Sequence, residues 1–332
     1  MRQGDLTLVT GATGFVGAAV ARALRQAGYE LRLTVRRGSD RRNLAGLQAQ
    51  IVEMDLAEPA GFAAAVQGCR YVVHVAADYR LWVPDADAMR RVNIDGSVAL
   101  LRVAASAGVE RCVYTSSVAA LGLTADGTPA DETTPVKPAH HIGAYKGSKY
   151  DAEQAVRALA AAGQDIVIVN PSTPVGPGDV KPTPTGKMVL DAARGKMPAF
   201  VDTGLNVVHV DDVAAGHLLA LEKGVAGEAY ILGGENLMLR ELLAMIAAQT
   251  GRKAPTLRLP IGPLMPIAWI CERIAEVTGK APVMTPEILG MARKKMFFGS
   301  AKAELALGYA PRPAAAAVAD ALAWFRAEGM LA

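Results

Sequence analysis

Leu6-Thr7-Leu8-Val9-Thr10 runs without a break into Gly11-Ala12-Thr13-Gly14-Phe15-Val16-Gly17, and the reading of these twelve residues decides the fold. The first five are aliphatic or β-branched and read as a short buried strand. From Val16 to Ala27 the apolar residues recur at helical spacing. Three glycines spaced G-x-x-G-x-x-G lie between strand and helix. Glycine permits a tight turn, close approach of backbone to a pyrophosphate, and close packing of helix on strand, and the helix N-terminus then faces the phosphates. Glycines also end strands for structural reasons alone. The strand before and the helix after favour the phosphate reading, with Gly11, Thr13, Gly14, Phe15 and Val16 as the cradle.

Outward from this turn, short apolar runs alternate with helical patterns as far as Asn170. Strands are expected at Leu6–Thr10, Leu31–Val35, Gln50–Met54, Tyr71–Val75, Arg111–Thr115 and Ile166–Asn170. Helices are expected at Val16–Ala27, Ala60–Val66, Met89–Ala107 and Tyr145–Ala162. Such alternation builds βαβ units, and right-handed crossovers make the fold an α/β doubly wound parallel sheet. Pro171 to Pro184 holds five prolines and two glycines and reads as a loop of restricted path. A strand and helix return at Asn206–Val210 and Val213–Glu222, with a further strand at Glu228–Leu232. From Arg240 the pattern is mostly helical, and its last helix spans Pro313 to Ala327. Residues 1–170 and about 203–233 are therefore expected to form the cofactor-binding domain. Residues of about 171–202 and 234–332 are expected to form a smaller, mostly helical C-terminal substrate lobe.

The second strand ends in Thr34-Val35-Arg36-Arg37-Gly38-Ser39-Asp40-Arg41-Arg42. A dinucleotide site specific for NAD places a carboxylate here, against the ribose 2′-hydroxyl, whereas arginine accommodates a 2′-phosphate. Arg36 and its neighbours favour NADP(H); NAD(H) is the alternative, with Asp40 within reach from the loop. Asp55 is a candidate for the adenine amino group, or else a helix cap.

Lys and Arg number 35 against 32 Asp and Glu, a net charge of +3, too balanced for a nucleic-acid footprint. Cys69, Cys112 and Cys271 lie far apart without C-x-x-C spacing, which excludes a disulfide scaffold or zinc ribbon and favours the cytoplasm. No signal peptide or transmembrane segment is read; the longest late apolar stretch, Leu259 to Cys271, is 13 residues. Histidines 74, 140, 141, 209 and 217 lack metal-ligand spacing, so no metal is expected. Asp211 and Asp212 read as caps of the helix they precede, and Arg293-Lys294-Lys295 as a solvated face.

Tyr145-Lys146-Gly147-Ser148-Lys149 places Tyr and Lys at i and i+4 on one helical face. The fifth strand ends in Thr115-Ser116-Ser117. With these motifs in this order the chain resembles the extended short-chain dehydrogenase/reductase family. The likeness also takes in Asp55-Leu56, His74-Val75-Ala76-Ala77, Asn93-Ile94-Asp95-Gly96 and Val208-His209-Val210-Asp211-Asp212-Val213. Three further stretches, Ala77 to Pro84, Asn170 to Pro177 and Met291 to Phe298, are similar to a subgroup called hopanoid-associated sugar epimerases, akin to dihydroflavonol 4-reductases. The resemblance implies an enzyme in which Tyr145 is the general acid/base and Lys149 lowers its pKa and holds the nicotinamide ribose. It implies that Ser117 binds the reacting oxygen and that Asn93 props the catalytic helix, unless Asn93 merely caps its own. Leu56, Ala76, Ala77 and Pro171 join the cofactor residues, and Tyr79 and Trp82 border the substrate. The expected activity is NADP-dependent oxidoreduction of a carbonyl or secondary alcohol on a small, hydrophobic molecule. Nucleotide-sugar epimerisation is the alternative, and a non-catalytic cofactor sensor a minor one. A homodimer through Asn93–Ala107 and Tyr150–Ala162, and peripheral membrane contact by Leu259–Cys271, complete the expectations.

Overall fold

The computed structural model describes residues 4–331 apart from 81, 84, 138–142, 280, 281 and 283. His140 and His141 lie outside the described residues. The strands are β1 (Leu6–Thr10), β2 (Glu30–Val35), β3 (Gln50–Glu53), β4 (Tyr71–His74), β5 (Arg111–Thr115), β6 (Ile166–Pro171) and β7 (Thr173–Val175). They continue with β8 (Ala199–Phe200), β9 (Gly204–His209), β10 (Ala229–Leu232), β11 (Glu235–Met238), β12 (Leu257–Arg258) and β13 (Lys295–Met296). The helices are α1 (Phe15–Gln26), α2 (Phe62–Val66), α3 (Ala86–Arg90), α4 (Ser97–Ser106), α5 (Gly143–Ala161) and α6 (Pro184–Ala193). After these come α7 (Val210–Lys223), α8 (Leu239–Thr250), α9 (Ile261–Thr278), α10 (Pro286–Met291), α11 (Ala301–Leu307) and α12 (Ala314–Ala327).

Seven parallel strands form the main sheet in the order β10-β6-β5-β4-β1-β2-β3. β4 and β6 are buried along their whole length, as apolar strands covered on both faces must be, whereas β3 at the edge is half-polar and exposed. One apolar layer joins α1, α7 and α11 to the sheet, and a second, on the opposite face, joins α2, α4 and α5. The strand order reverses between β1 and β4, which opens a crevice at their C-terminal ends.

The smaller region has its own core, in which α6, α8 and α12 cover β7 and β9. There β9 pairs antiparallel with β11 and parallel with β7 and β13. β9 thus belongs to the second sheet, and the chain returns to the main sheet with β10, after α7 has packed on it. The Pro171–Pro184 stretch is also not all loop. It includes the end of β6, all of β7 and the first residue of α6, because Pro174 needs no ladder N–H at its place in a short edge pairing. Among the described residues no helix is long and apolar enough to cross a membrane. Part of Leu259–Cys271 falls in α9, whose outer face exposes Ile267, Trp269, Ile270, Ile274 and Val277.

Candidate active site

The glycine turn is shaped by steric necessity. Gly11 has φ +70°, and a Cβ there would sit 2.8 Å from the Ala76 nitrogen. A Cβ on Gly17 would lie 2.2 Å from the Gly11 carbonyl oxygen, so α1 packs on the turn only because residue 17 has no side chain. Thr10 Oγ1 accepts from the Val75 and Ala76 nitrogens, both at 3.1 Å, and fixes the β4 end beside the β1 end. Gly14 caps α1 with no side-chain hydrogen bond, which leaves the first N–H groups of the helix to an anion. These residues fit a dinucleotide phosphate bridge.

Asn43, which the sequence reading passed over, donates to Thr13 O (3.3 Å) and Gly178 O (3.0 Å). It ties the glycine turn to the proline-rich segment. Of the four arginines after β2, Arg37 and Arg41 flank Glu53 at 3.7 and 3.6 Å, and Arg42 forms a fork with Asp40. Asp40 is held at about 2 by Arg42 and is committed to that pair. Arg36 is exposed and has no ion pair among the described residues. Its charge reaches Asp78 and Tyr79. Asp55 accepts from the Ala57 nitrogen at 3.0 Å in a local turn, and the Leu56 carbonyl packs against Gly96. Tyr79 is half-exposed, and the charges of Asp179, Asp78 and Arg36 bear on it, which places it toward the β2 side of the crevice; Trp82 is half-buried.

At the ends of β5 and β6 a second cluster assembles. Tyr145, in the first turn of α5, has its phenol close enough to the Ser117 hydroxyl for that group to act on its ionisation. Ser117 also accepts from the Ala119 nitrogen at 3.1 Å, which caps the short turn after β5. Lys149, one helical turn beyond Tyr145, is buried; its Nζ donates to Thr115 O at 2.9 Å and lies 5.2 Å from the centre of the Tyr114 ring. Two ammonium protons remain for other acceptors. Burial lowers the Lys149 pKa to about 8, opposed by Glu153.

The expected depression of the Tyr145 pKa is not found in the protein by itself. Burial pushes the phenol upward, and the Ser117 hydroxyl opposes it. The reason is desolvation, which penalises a phenolate. Asn93 is not a helix cap. It lies inside a π-helical turn, Arg91–Gly96, between α3 and α4. There it accepts from Asp78 N (2.7 Å) and donates to Asp78 O (2.9 Å) and Ser148 Oγ (3.1 Å), bracing the loop after β4 against α5.

Sequence reading also missed Glu153 and Asn170. Glu153 continues the i, i+4 ladder from Tyr145 and Lys149, a signal open to the sequence; Asn170 has partners 17 and 53 positions away. The side-chain oxygens of Ser116, Asn170 and Ser172 are buried without partners among the described residues, which leaves polar atoms for a ligand at the ends of β5 and β6.

The histidines serve the fold. His74 joins Thr10 Oγ1 (2.7 Å) and Ser97 Oγ (2.9 Å), and His217 joins Thr115 Oγ1 (2.9 Å) and Val213 O (2.7 Å). His209, not an aspartate, caps α7: its Nδ1 accepts from the Asp211 nitrogen at 3.0 Å. Asp212 instead spends both oxygens on Arg312, each at 2.8 Å. The basic triplet is more than a solvated face: Arg293, Lys294 and Lys295 line a cleft of ≈ 390 Å³ with Lys137 and the loop 123–127. No group of three potential metal ligands occurs among the described residues.

Comparison with known proteins gives the same address. The model of the NAD dependent epimerase/dehydratase family matches residues 7–233. A Synechocystis protein named "Putative dihydroflavonol 4-reductase" is 44% identical over 98% of this chain and 96% of its own. The crystal structure of gox2253 superposes with a TM-score of 0.89 at 56% identity, covering 99% of this chain and 100% of that one. A nucleoside-diphosphate-sugar epimerase from Pseudomonas aeruginosa follows at TM-score 0.81 and 27% identity, with 99% of each chain covered.

Proposed function

We propose that this chain, which belongs to the NAD dependent epimerase/dehydratase family (the extended short-chain dehydrogenase/reductases), is an NADP-dependent reductase of a carbonyl group on a small, hydrophobic substrate. An NAD(P)-dependent enzyme of oxidoreductase or epimerase type comes with that membership. The observation that carries the finer reading is the Ser117–Tyr145–Lys149 cluster beside a glycine turn built for a pyrophosphate. We assign residues 1–170 and 210–233 to cofactor binding, and 171–209 and 234–332 to the substrate.

When bound, the nicotinamide supplies the hydride. Tyr145 donates its phenolic proton to the carbonyl oxygen as charge develops there, and the phenol, raised above its ordinary pKa, keeps that proton until it is needed. Ser117, beside the Tyr145 phenol, gives the same oxygen a second polar contact. Lys149 holds the ribose hydroxyls with its two uncommitted protons, and its charge steadies the phenolate left behind. Asn93 keeps α5 in register with the β4 loop. Arg36 meets the 2′-phosphate.

A second reading, nucleotide-sugar epimerisation, is favoured by one observation: the cleft lined by Lys137, Arg293, Lys294 and Lys295 suits a diphosphate. The two differ in cofactor balance. A reductase consumes NADPH one for one with carbonyl; an epimerase interconverts sugar nucleotides with no net change. Tyr145→Phe should spare NADPH binding and lower turnover by about 10²–10⁴. Near-parental turnover in that variant sinks the assignment of the active site.

A further inference from the structure

We propose that Glu153, clamped by Asn170 and Arg157, is the positioning residue that keeps Lys149 charged and anchors the strand end carrying Ser117. The inference rests on the Tyr145–Lys149 reading above. It begins from a spacing: Tyr145, Lys149, Glu153 and Arg157 follow one another at four-residue steps along one face of α5. The middle of this ladder, Lys149 and Glu153, is buried, and its two ends, Tyr145 and Arg157, are partly exposed. The Glu153 side chain is 2% exposed, and Arg157, one turn on, is 34% exposed.

Every oxygen of Glu153 is engaged. Oε1 accepts from Arg157 Nε (3.0 Å) and from its terminal nitrogen (2.8 Å), and Oε2 accepts from Asn170 Nδ2 at 2.7 Å. The second Asn170 amide proton goes to Ser117 O at 3.1 Å. With acceptors on both sides the Asn170 amide has one orientation, and its own Oδ1 is left buried and unpaired. An asparagine that gives up one hydrogen bond to hold two acceptors is a clamp between α5 and the β5 end.

A carboxylate buried between helix and sheet is costly, and an apolar side chain would fill the space at least as well. Packing therefore gives no reason for the charge. Lys149 gives one. The groups that face its ammonium are Glu153 on α5, Thr115 O and the Tyr114 ring on β5, and His74 on β4. His74 is buried and neutral near pH 7, so Glu153 is the anion of the set. It is not in ion-pair contact with Lys149 and acts through its field, which low-dielectric surroundings transmit well. Arg157 competes for that field from the other side. Burial draws the Lys149 pKa down, Glu153 opposes it, and the two balance at about 8.

The test is NADPH binding to the full chain by fluorescence titration at pH values from about 6 to about 10, a readout that needs no substrate. In the parent, affinity weakens as Lys149 loses its proton. In Glu153→Gln this alkaline limb should begin about one pH unit lower. In Arg157→Met, which removes the competing cation, it should move the other way. Glu153→Asp should restore the limb toward the parent position. Affinities lowered evenly at all pH values, with the limb in place in both variants, would mean a structural role only and overturn the proposal. Should Glu153→Gln fail to fold, an Arg157→Met limb that stays put or moves down overturns it equally. Lys149→Met separates the two layers of argument. A limb that persists there unchanged defeats the Lys149 reading itself, whereas a limb lost in Lys149→Met but unmoved in Glu153→Gln defeats only the role of Glu153.

Discussion

Buried single residues give this fold a pH dependence whose sign follows from their environment. Burial lowers His74 to about 3 and His217 to about 4, against an ordinary value of 6.5. Below about 6.5 the unfolded chain gains both protons while the folded chain does not. The stability they contribute is therefore full above that value and lost as pH falls through their folded values. Asp179 acts oppositely: burial raises it to about 6, so its contribution is full below 3.8 and lost as pH rises through 6. Two histidines outweigh one aspartate, so the melting temperature should fall between about pH 6.5 and about pH 4. His217→Gln should flatten part of that slope. A melting temperature constant over the range would show the histidines to be protonated in the fold. At this scale motif and order in the sequence were enough to single out Tyr145, Lys149 and Ser117 as candidates. The rise of the Tyr145 pKa was not legible, since desolvation depends on what the fold packs around the ring.

Elements were legible where their periodicity ran long enough. β1, β5 and the helices α1 and α5 fall within a residue or two of their expected bounds, because four or more consecutive positions carry each pattern. β7, β8, β12 and β13 have two or three residues each and no period to read; tertiary pairing alone makes them strands. The π-helical turn at Arg91–Gly96 was hidden too, though it is what aims Asn93 at both Asp78 and Ser148. The joint between β1 and α1 yields a prediction at this scale. Gly17→Ala would place a methyl 2.2 Å from the Gly11 carbonyl oxygen, a backbone atom that cannot swing aside. Helix and turn must then separate, at a cost of about 1–3 kcal/mol, the usual range for overpacking. Denaturant melts should show that loss, and NADPH affinity should fall with it. A variant as stable as the parent would mean that the turn yields more easily than this packing implies.

For the molecule as a whole, the order of the main sheet follows from right-handed crossovers, whereas the second sheet, which draws β7, β9, β11 and β13 from four separate parts of the chain, does not. The crevice at the strand reversal is thus bounded by a legible half and an illegible one, and a ligand bound there stabilises the folded chain by mass action. That linkage offers a whole-molecule test of cofactor choice. At a free concentration 100 times its Kd a ligand adds about 2.7 kcal/mol, enough to raise a melting temperature by several degrees. NADPH and NADH differ only at the ribose 2′-position, and the end of β2 is where that difference is read. Three of the four arginines there are already committed, Arg37 and Arg41 to Glu53 and Arg42 to Asp40, which leaves Arg36 to meet a 2′-phosphate. At equal concentrations NADPH should therefore raise the melting temperature more than NADH. Arg36→Ala should remove the excess and leave the NADH rise unchanged, because the glycine turn that holds the shared pyrophosphate is untouched. Equal shifts in the parent would show that the arginines after β2 do not read the 2′-phosphate. A loss of both shifts in Arg36→Ala would show that Arg36 supports the turn itself rather than the choice of cofactor.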